Sequence, residues 1–120
     1  MATIFKLLSL TIFIGLIFQA YGQVCSLDNI VVKQYKTSSS ANGKEVWKVN
    51  ITNNCICTQS QVRFNCTGFQ TSLSIDPAIF SGDCLLIQGE YFHYQDSVNF
   101  SYARDSEFTF QPIYSEIACS

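Results

Sequence analysis

Six cysteines, one histidine and nine acidic side chains are the groups in this 120-residue chain that could do chemistry. The cysteines are Cys25, Cys55, Cys57, Cys66, Cys84 and Cys119. Thiolates bind metals, act as nucleophiles or oxidise to disulfides. A zinc site would have to be drawn from Cys55, Cys57, Cys66, Cys84 and His93. That spacing fits no common zinc pattern, and an export signal at the start of the chain sends it to an oxidising compartment. An even cysteine count in a short exported chain points instead to three disulfides and no metal. Each contributes on the order of 2–4 kcal/mol, chiefly by restricting the unfolded chain. Cys55 and Cys57 are too close to pair easily with each other, so each reaches a distant partner, and Cys25 and Cys119 tie both ends into the body. Which cysteine meets which is not readable from sequence.

Catalysis finds little support. A Ser-His-acid arrangement would have to use His93, and no Gly-x-Ser-x-Gly motif accompanies it. The acids Asp28, Glu45, Asp76, Asp83, Glu90, Asp96, Asp105, Glu107 and Glu116 are scattered through turns, with no spacing that sets two across a cleft. Phosphate-cradling and dinucleotide glycine motifs are missing as well. The sequence therefore reads as a non-enzyme with no catalytic residue and no cofactor.

The elements that position these groups begin after Met1–Gly22, which has the form of a signal peptide. Lys6 supplies its positive start, Leu7–Phe18 its apolar run, and Ala20-Tyr21-Gly22 its small cleavage residues. The run falls short of the roughly 20 residues that span a bilayer, so no membrane contact is expected after cleavage. Cleavage leaves one cysteine-rich domain, residues 23–120, and loss of Lys6 takes the formal charge from −2 to −3. A mildly acidic domain without a basic cluster is a poor nucleic-acid ligand. A domain this small buries only about two thirds of its unfolded surface, which is why cross-links matter to it.

Within that domain the strongest pattern is Val46–Cys66. Trp47, Val49 and Ile51 alternate with Lys48, Asn50 and Thr52, and Val62, Phe64 and Cys66 alternate with Arg63 and Asn65. Period-two alternation of branched and aromatic residues predicts two half-buried strands. With Asn53–Gln59 as the bend, they read as a hairpin anchored by disulfides. Further strands are expected at Ile30–Tyr35, Phe69–Ile75, Cys84–Ile87, Val98–Tyr102 and Phe108–Gln111, with Thr37–Gly43 as a polar loop and one helical turn at Ala78–Phe80. The whole is an all-β, small antiparallel β-sandwich of about seven short strands, stapled by three disulfides.

Three Asn-x-Ser/Thr acceptors for N-glycosylation occur at Asn50, Asn65 and Asn99. Each asparagine lies between apolar neighbours on a strand and so faces outward. Asn50 and Asn99 are the better candidates, because Cys66 sits inside the third acceptor. Tyr91, Phe92, His93 and Tyr94 form an aromatic cluster that reads either as a contact patch or as two rings closing the core.

The order of these pieces resembles the plant Tapetum Determinant-like family of small secreted cysteine-rich proteins. The resemblance is carried by Cys25 with Ile30-Val-Val-Lys-Gln34, Trp47-Lys-Val-Asn-Ile-Thr-Asn53 with Cys55, and Val62-Arg-Phe-Asn-Cys66 with Gly68-Phe69. Gly82-Asp-Cys84-Leu-Leu with Gly89, Val98-Asn-Phe-Ser-Tyr102-Ala103 and the closing Cys119 complete it. Cys55-Ile56-Cys57 is tighter than the second-to-third cysteine spacing of the founding ligand and looks like a less-studied subgroup. The resemblance implies a secreted, apoplastic signalling protein, the ligand of a leucine-rich-repeat receptor kinase ectodomain in cell fate specification of the anther and tapetum type. The alternative is an extracellular module that binds cell-wall carbohydrate.

Overall fold

A computed structural model describes residues 25–119. The segment read as a signal peptide, Met1–Gly22, lies outside them. The described chain is all-β: β1 (Ile30–Ala41), β2 (Lys44–Asn53), β3 (Thr58–Asn65), β4 (Ser97–Ala103) and β5 (Gln111–Ala118), with 3-10 turns at Leu27–Asn29 and Ile87–Gly89. The strands form two antiparallel sheets, β1-β2-β4 and β3-β5.

β1 and β2 meet in a two-residue turn, Asn42-Gly43, with φ of 54° and 77°. Both residues are left-handed, the conformation that keeps a tight hairpin in step with strand twist and that Asn-Gly adopts readily. β1 runs further than expected, through Thr37–Ala41. The small polar residues there sit at an irregularity, since Lys36 pairs with Trp47 but Ser40 with Glu45. The Thr37 hydroxyl donates to the Val46 carbonyl (2.8 Å) and accepts from the Ser39 amide (3.1 Å), so a segment that reads as loop is held to the sheet.

Val46–Cys66 is not a hairpin. Its two halves have the expected alternation, but β2 pairs with β1 and β4 while β3 pairs with β5 in the other sheet. The bend between them is the crossover that joins the two layers. Alternation shows which face of a strand is buried, not which strand lies beside it.

The described residues form five strands rather than about seven. The Cys84–Ile87 segment does bond to the free side of β3, through Leu86 N–H to Val62 O (2.9 Å) and Phe64 N–H to Cys84 O (3.0 Å). Left-handed backbone at Cys84, Ile87 and Gln88 breaks it into isolated bridges. Phe69–Ile75 is irregular, and Phe108 and Phe110 are buried coil. Pro77–Ile79 forms a turn in which Asp76 O accepts from the amides of Ile79 (2.9 Å) and Phe80 (3.0 Å).

Between the layers lies an aromatic core. Phe110 meets Phe69, Phe80, Phe100, Tyr102 and Phe108 at ring-centroid distances of 4.9–5.7 Å. Tyr102 is fully buried, and its hydroxyl donates to Gln34 Oε1 (2.6 Å) and accepts from the Phe108 amide (2.8 Å). Burial pushes its phenol pKa above the usual tyrosine value, with Glu107 adding to the rise while the Phe108 bond and Arg104 oppose it.

Candidate contact surface

The six cysteines pair as Cys25–Cys55, Cys57–Cys119 and Cys66–Cys84. Cys55 and Cys57 thus fasten the crossover bend to the first and last described residues. The sulfurs of Cys25, Cys57 and Cys119 lie within 4.8 Å of one another. All three are spent in disulfides, so this sulfur cluster offers no thiolate to a metal.

Two buried amides lock the bend. The Asn53 side chain donates to Cys57 O (3.0 Å) and Phe92 O (2.8 Å), and its carbonyl oxygen accepts from the amides of Cys55 (3.0 Å) and Gln59 (Nε2, 3.2 Å). Gln59 Nε2 also reaches Ser26 O (3.4 Å), and its Oε1 accepts from the Ser115 hydroxyl (2.7 Å). Both side chains are fully buried and satisfied, the condition under which polar groups in a core specify one arrangement. They tie together the bend, the segment before β1, β5 and the 90–96 loop.

That loop is the aromatic cluster, and the structure divides it. Phe92 is core, 1% exposed, and pairs with Gln59 through Phe92 N–H to O (2.7 Å) and Gln59 N–H to O (3.0 Å). Tyr91 and Tyr94 are 66% and 48% exposed, and His93 is exposed beside them. Phe92 therefore leaves the expected patch, since its neighbours must point outward once it points in. His93 Nδ1 lies 3.2 Å from Asp96 Oδ2, which also accepts from the His93 amide (2.9 Å). This pair closes the loop.

A further residue joins the surface. Ile56 is 75% exposed. The Asn53 amide bridges the carbonyls of Cys57 and Phe92, so the turn that carries Ile56 and the loop that carries the tyrosines lie side by side at one end of the molecule. Asn53, Gln59 and Ile56 were not among the site residues expected from sequence. A signal for Ile56 was present: two half-cystines turned into the body force the residue between them outward.

Charge is distributed unevenly. The lysines and arginines of the described residues, Lys33, Lys36, Lys44, Lys48, Arg63 and Arg104, lie along the strands or at the far end. Exposed Asp28, Glu90 and Asp96 stand at the disulfide end. A cleft at the far end, lined by Lys44, Gln70, Ser72 and Arg104, has its cations engaged. Lys44 pairs with Asp105 (2.9 Å), and Arg104 donates to the carbonyls of Ser106 and Glu107 (3.2 Å each).

Of the glycosylation acceptors, Asn65 and Asn99 are exposed and Asn50 is half-buried. Asn50 and Asn99 are register partners on the outer face of the three-stranded sheet, and Asn50 Nδ2 donates to Asn99 Oδ1 (2.9 Å). Asn65 Oδ1 accepts from the amide and hydroxyl of Thr67 (3.1 and 2.8 Å).

No solved structure is significantly similar to the chain. It is similar to TPD1 protein homolog 1 of Arabidopsis thaliana, 28% identical over 104 residues, 82% of this chain and 57% of the relative. It is also similar to TPD1 protein homolog 1B of Oryza sativa subsp. japonica, 29% identical over 100 residues, 79% of this chain and 58% of the relative. The chain thus spans rather more than half the length of these relatives. The family model described as "Tapetum determinant 1, C-terminal" matches residues 26–120, and with nearly all the described residues inside that match the chain belongs to this family.

Proposed function

We propose that this chain is an exported plant signalling protein that works by being bound. Its receptor is the ectodomain of a leucine-rich-repeat receptor kinase in the apoplast, and the outcome is specification of cell fate of the anther and tapetum type. The observation that carries this reading is membership of the Tapetum determinant 1 family over residues 26–120. The chemistry agrees with it. Three disulfides persist in an oxidising, extracellular setting. His93 and Asp96, the histidine–carboxylate pair of the described residues, are both exposed and hold a loop together. On this reading Met1–Gly22 is removed on export, and Asn50, Asn65 and Asn99 are offered to the glycosylation machinery, with Asn99 the most open of the better pair.

The test is direct. The full chain is expressed in plant cells with a C-terminal tag, collected from the medium and measured for binding to a panel of purified leucine-rich-repeat ectodomains. The expected result is secreted protein starting near Gln23 that migrates faster after endoglycosidase treatment and binds one ectodomain of the panel. Retention inside the cell, or secreted protein that binds none, contradicts the reading.

A second reading is binding of cell-wall carbohydrate, favoured by the exposed rings of Tyr91 and Tyr94, since sugars stack on such faces. A polysaccharide array separates the two. Retention of the wild type but not of Tyr91→Ala with Tyr94→Ala supports carbohydrate; no retention of either leaves the receptor reading.

A further inference from the structure

Ile56 is the most exposed of the large apolar side chains among the described residues, and it stands on a turn held by two disulfides. Cys55 before it is bonded to Cys25 and Cys57 after it to Cys119. The peptide groups around it are held as well, Cys55 N–H by Asn53 Oδ1 and Cys57 O by Asn53 Nδ2. The same Asn53 amide holds Phe92 O, and Asn53 O accepts from the Gln95 amide (2.8 Å), so Tyr91 and Tyr94 are set relative to Ile56. An apolar side chain on fixed backbone loses little freedom when it docks, which is what lets a few residues carry most of an association.

From this, and resting on the reading that the chain acts by being bound, we infer that Ile56, Tyr91 and Tyr94, bordered by Asp28, Glu90 and Asp96, form the receptor-binding surface, and that it seats in an apolar pocket rimmed by Lys or Arg on the partner protein. Charge selects that occupant. The border is acidic, and the lysines and arginines of the described residues lie elsewhere. A two-fold contact between copies through this end would set like charge against like charge, which disfavours a second copy. A sugar is disfavoured too. The side-chain amides of Asn53 and Gln59, which could have served a sugar, are buried and bonded internally. Ile56, the most exposed of the three side chains, is aliphatic and offers no flat ring to stack on.

The test uses the full-length oxidised protein with a benzophenone amino acid at position 56, at Lys48 on the outer face of the three-stranded sheet, or at Tyr114 on edge strand β5. Each form is photolysed on intact plant protoplasts, and adducts are identified by mass spectrometry. The expected result is an adduct to a receptor ectodomain from position 56 and none from 48 or 114. Unlabelled wild type should compete it away, and Ile56→Asp should compete about thirty-fold less well, the effect of losing a central apolar anchor. Glu90→Lys should also weaken competition, and added salt should reduce the adduct. Because Ile56 is exposed, the substituted protein is expected to fold, checked by its non-reducing mass and near-ultraviolet dichroism. A receptor adduct from 48 or 114 but not 56 overturns the surface while the signalling reading stands. No adduct from any position overturns both. Full competition by folded Ile56→Asp overturns the surface, and competition unchanged by Glu90→Lys overturns the basic rim.

Discussion

The two ends of the sandwich are built by different means. At one end the Asn42-Gly43 turn reverses the chain, and the ion pairs Lys36–Glu45 (2.7 Å) and Lys44–Asp105 (2.9 Å) hold the strand tips in water. Such exposed pairs contribute less than about 1 kcal/mol each. At the other end two disulfides and the Asn53–Gln59 amides gather the segment before β1, the crossover bend, the 90–96 loop and β5 around one point. The first end is closed by local turn chemistry. The second is closed by bonds between residues far apart in sequence, and that is the end that displays bare Ile56, Tyr91 and Tyr94. Rigidity and exposed apolar surface coincide where an interaction surface would use both.

Breaking the disulfide end should cost most. Cys57–Cys119 closes a span of 62 residues, against 30 and 18 for the other two bridges. Replacing both cysteines by serine is expected to lower unfolding free energy by about 4 kcal/mol, measured by urea denaturation, because the longest loop restrains the unfolded chain most. The next largest effect is Asn53→Ala. It strips partners from two carbonyls, the Cys55 amide and the Gln59 amide, and should lose about 3 kcal/mol with the disulfides still intact by non-reducing mass.

In the middle of the molecule, Tyr102→Phe removes a hydroxyl that serves Gln34 and the Phe108 amide, for an expected loss of about 2 kcal/mol. It should also alter the pH profile. The folded phenol has a raised pKa, so the native state holds its proton longer than the unfolded state does. The stability it lends is complete below about pH 10, the unfolded value, and declines as pH rises toward the folded value. Urea midpoints of the wild type should fall across that alkaline window, and Tyr102→Phe should flatten the fall. At the far end, Lys44→Ala with Asp105→Ala should change stability by less than about 1 kcal/mol. A loss there as large as that of Asn53→Ala would erase the contrast between the ends.

Part of this contrast was legible in sequence. Alternation at Trp47–Thr52 and Val62–Asn65 placed each side chain on the face it occupies, because burial of one neighbour dictates the direction of the next. Asn42-Gly43 marked its own turn. The pairing of β2 and β3 with other strands was hidden, since it depends on contacts across the whole chain. The strand expected at Cys84–Ile87 was lost to left-handed backbone that no periodicity records. Of the surface, Tyr91 and Tyr94 were visible as aromatics, whereas Phe92 looked the same and is core. Asn53 and Gln59 resembled ordinary turn residues, because their importance lies in partners as remote as Phe92 and Ser115.

Peptide-resolved hydrogen exchange on the oxidised, secreted protein tests the contrast most directly. The amides of Asn53, Cys55, Phe92 and Gln95 should exchange only with global unfolding, although exposed side chains surround them, while Asn42, Gly43, Asp105 and Ser106 exchange orders of magnitude faster. Equal, fast exchange at both ends would mean that the disulfide end is no more ordered than the turn opposite it, and that Ile56 is not presented on a fixed support.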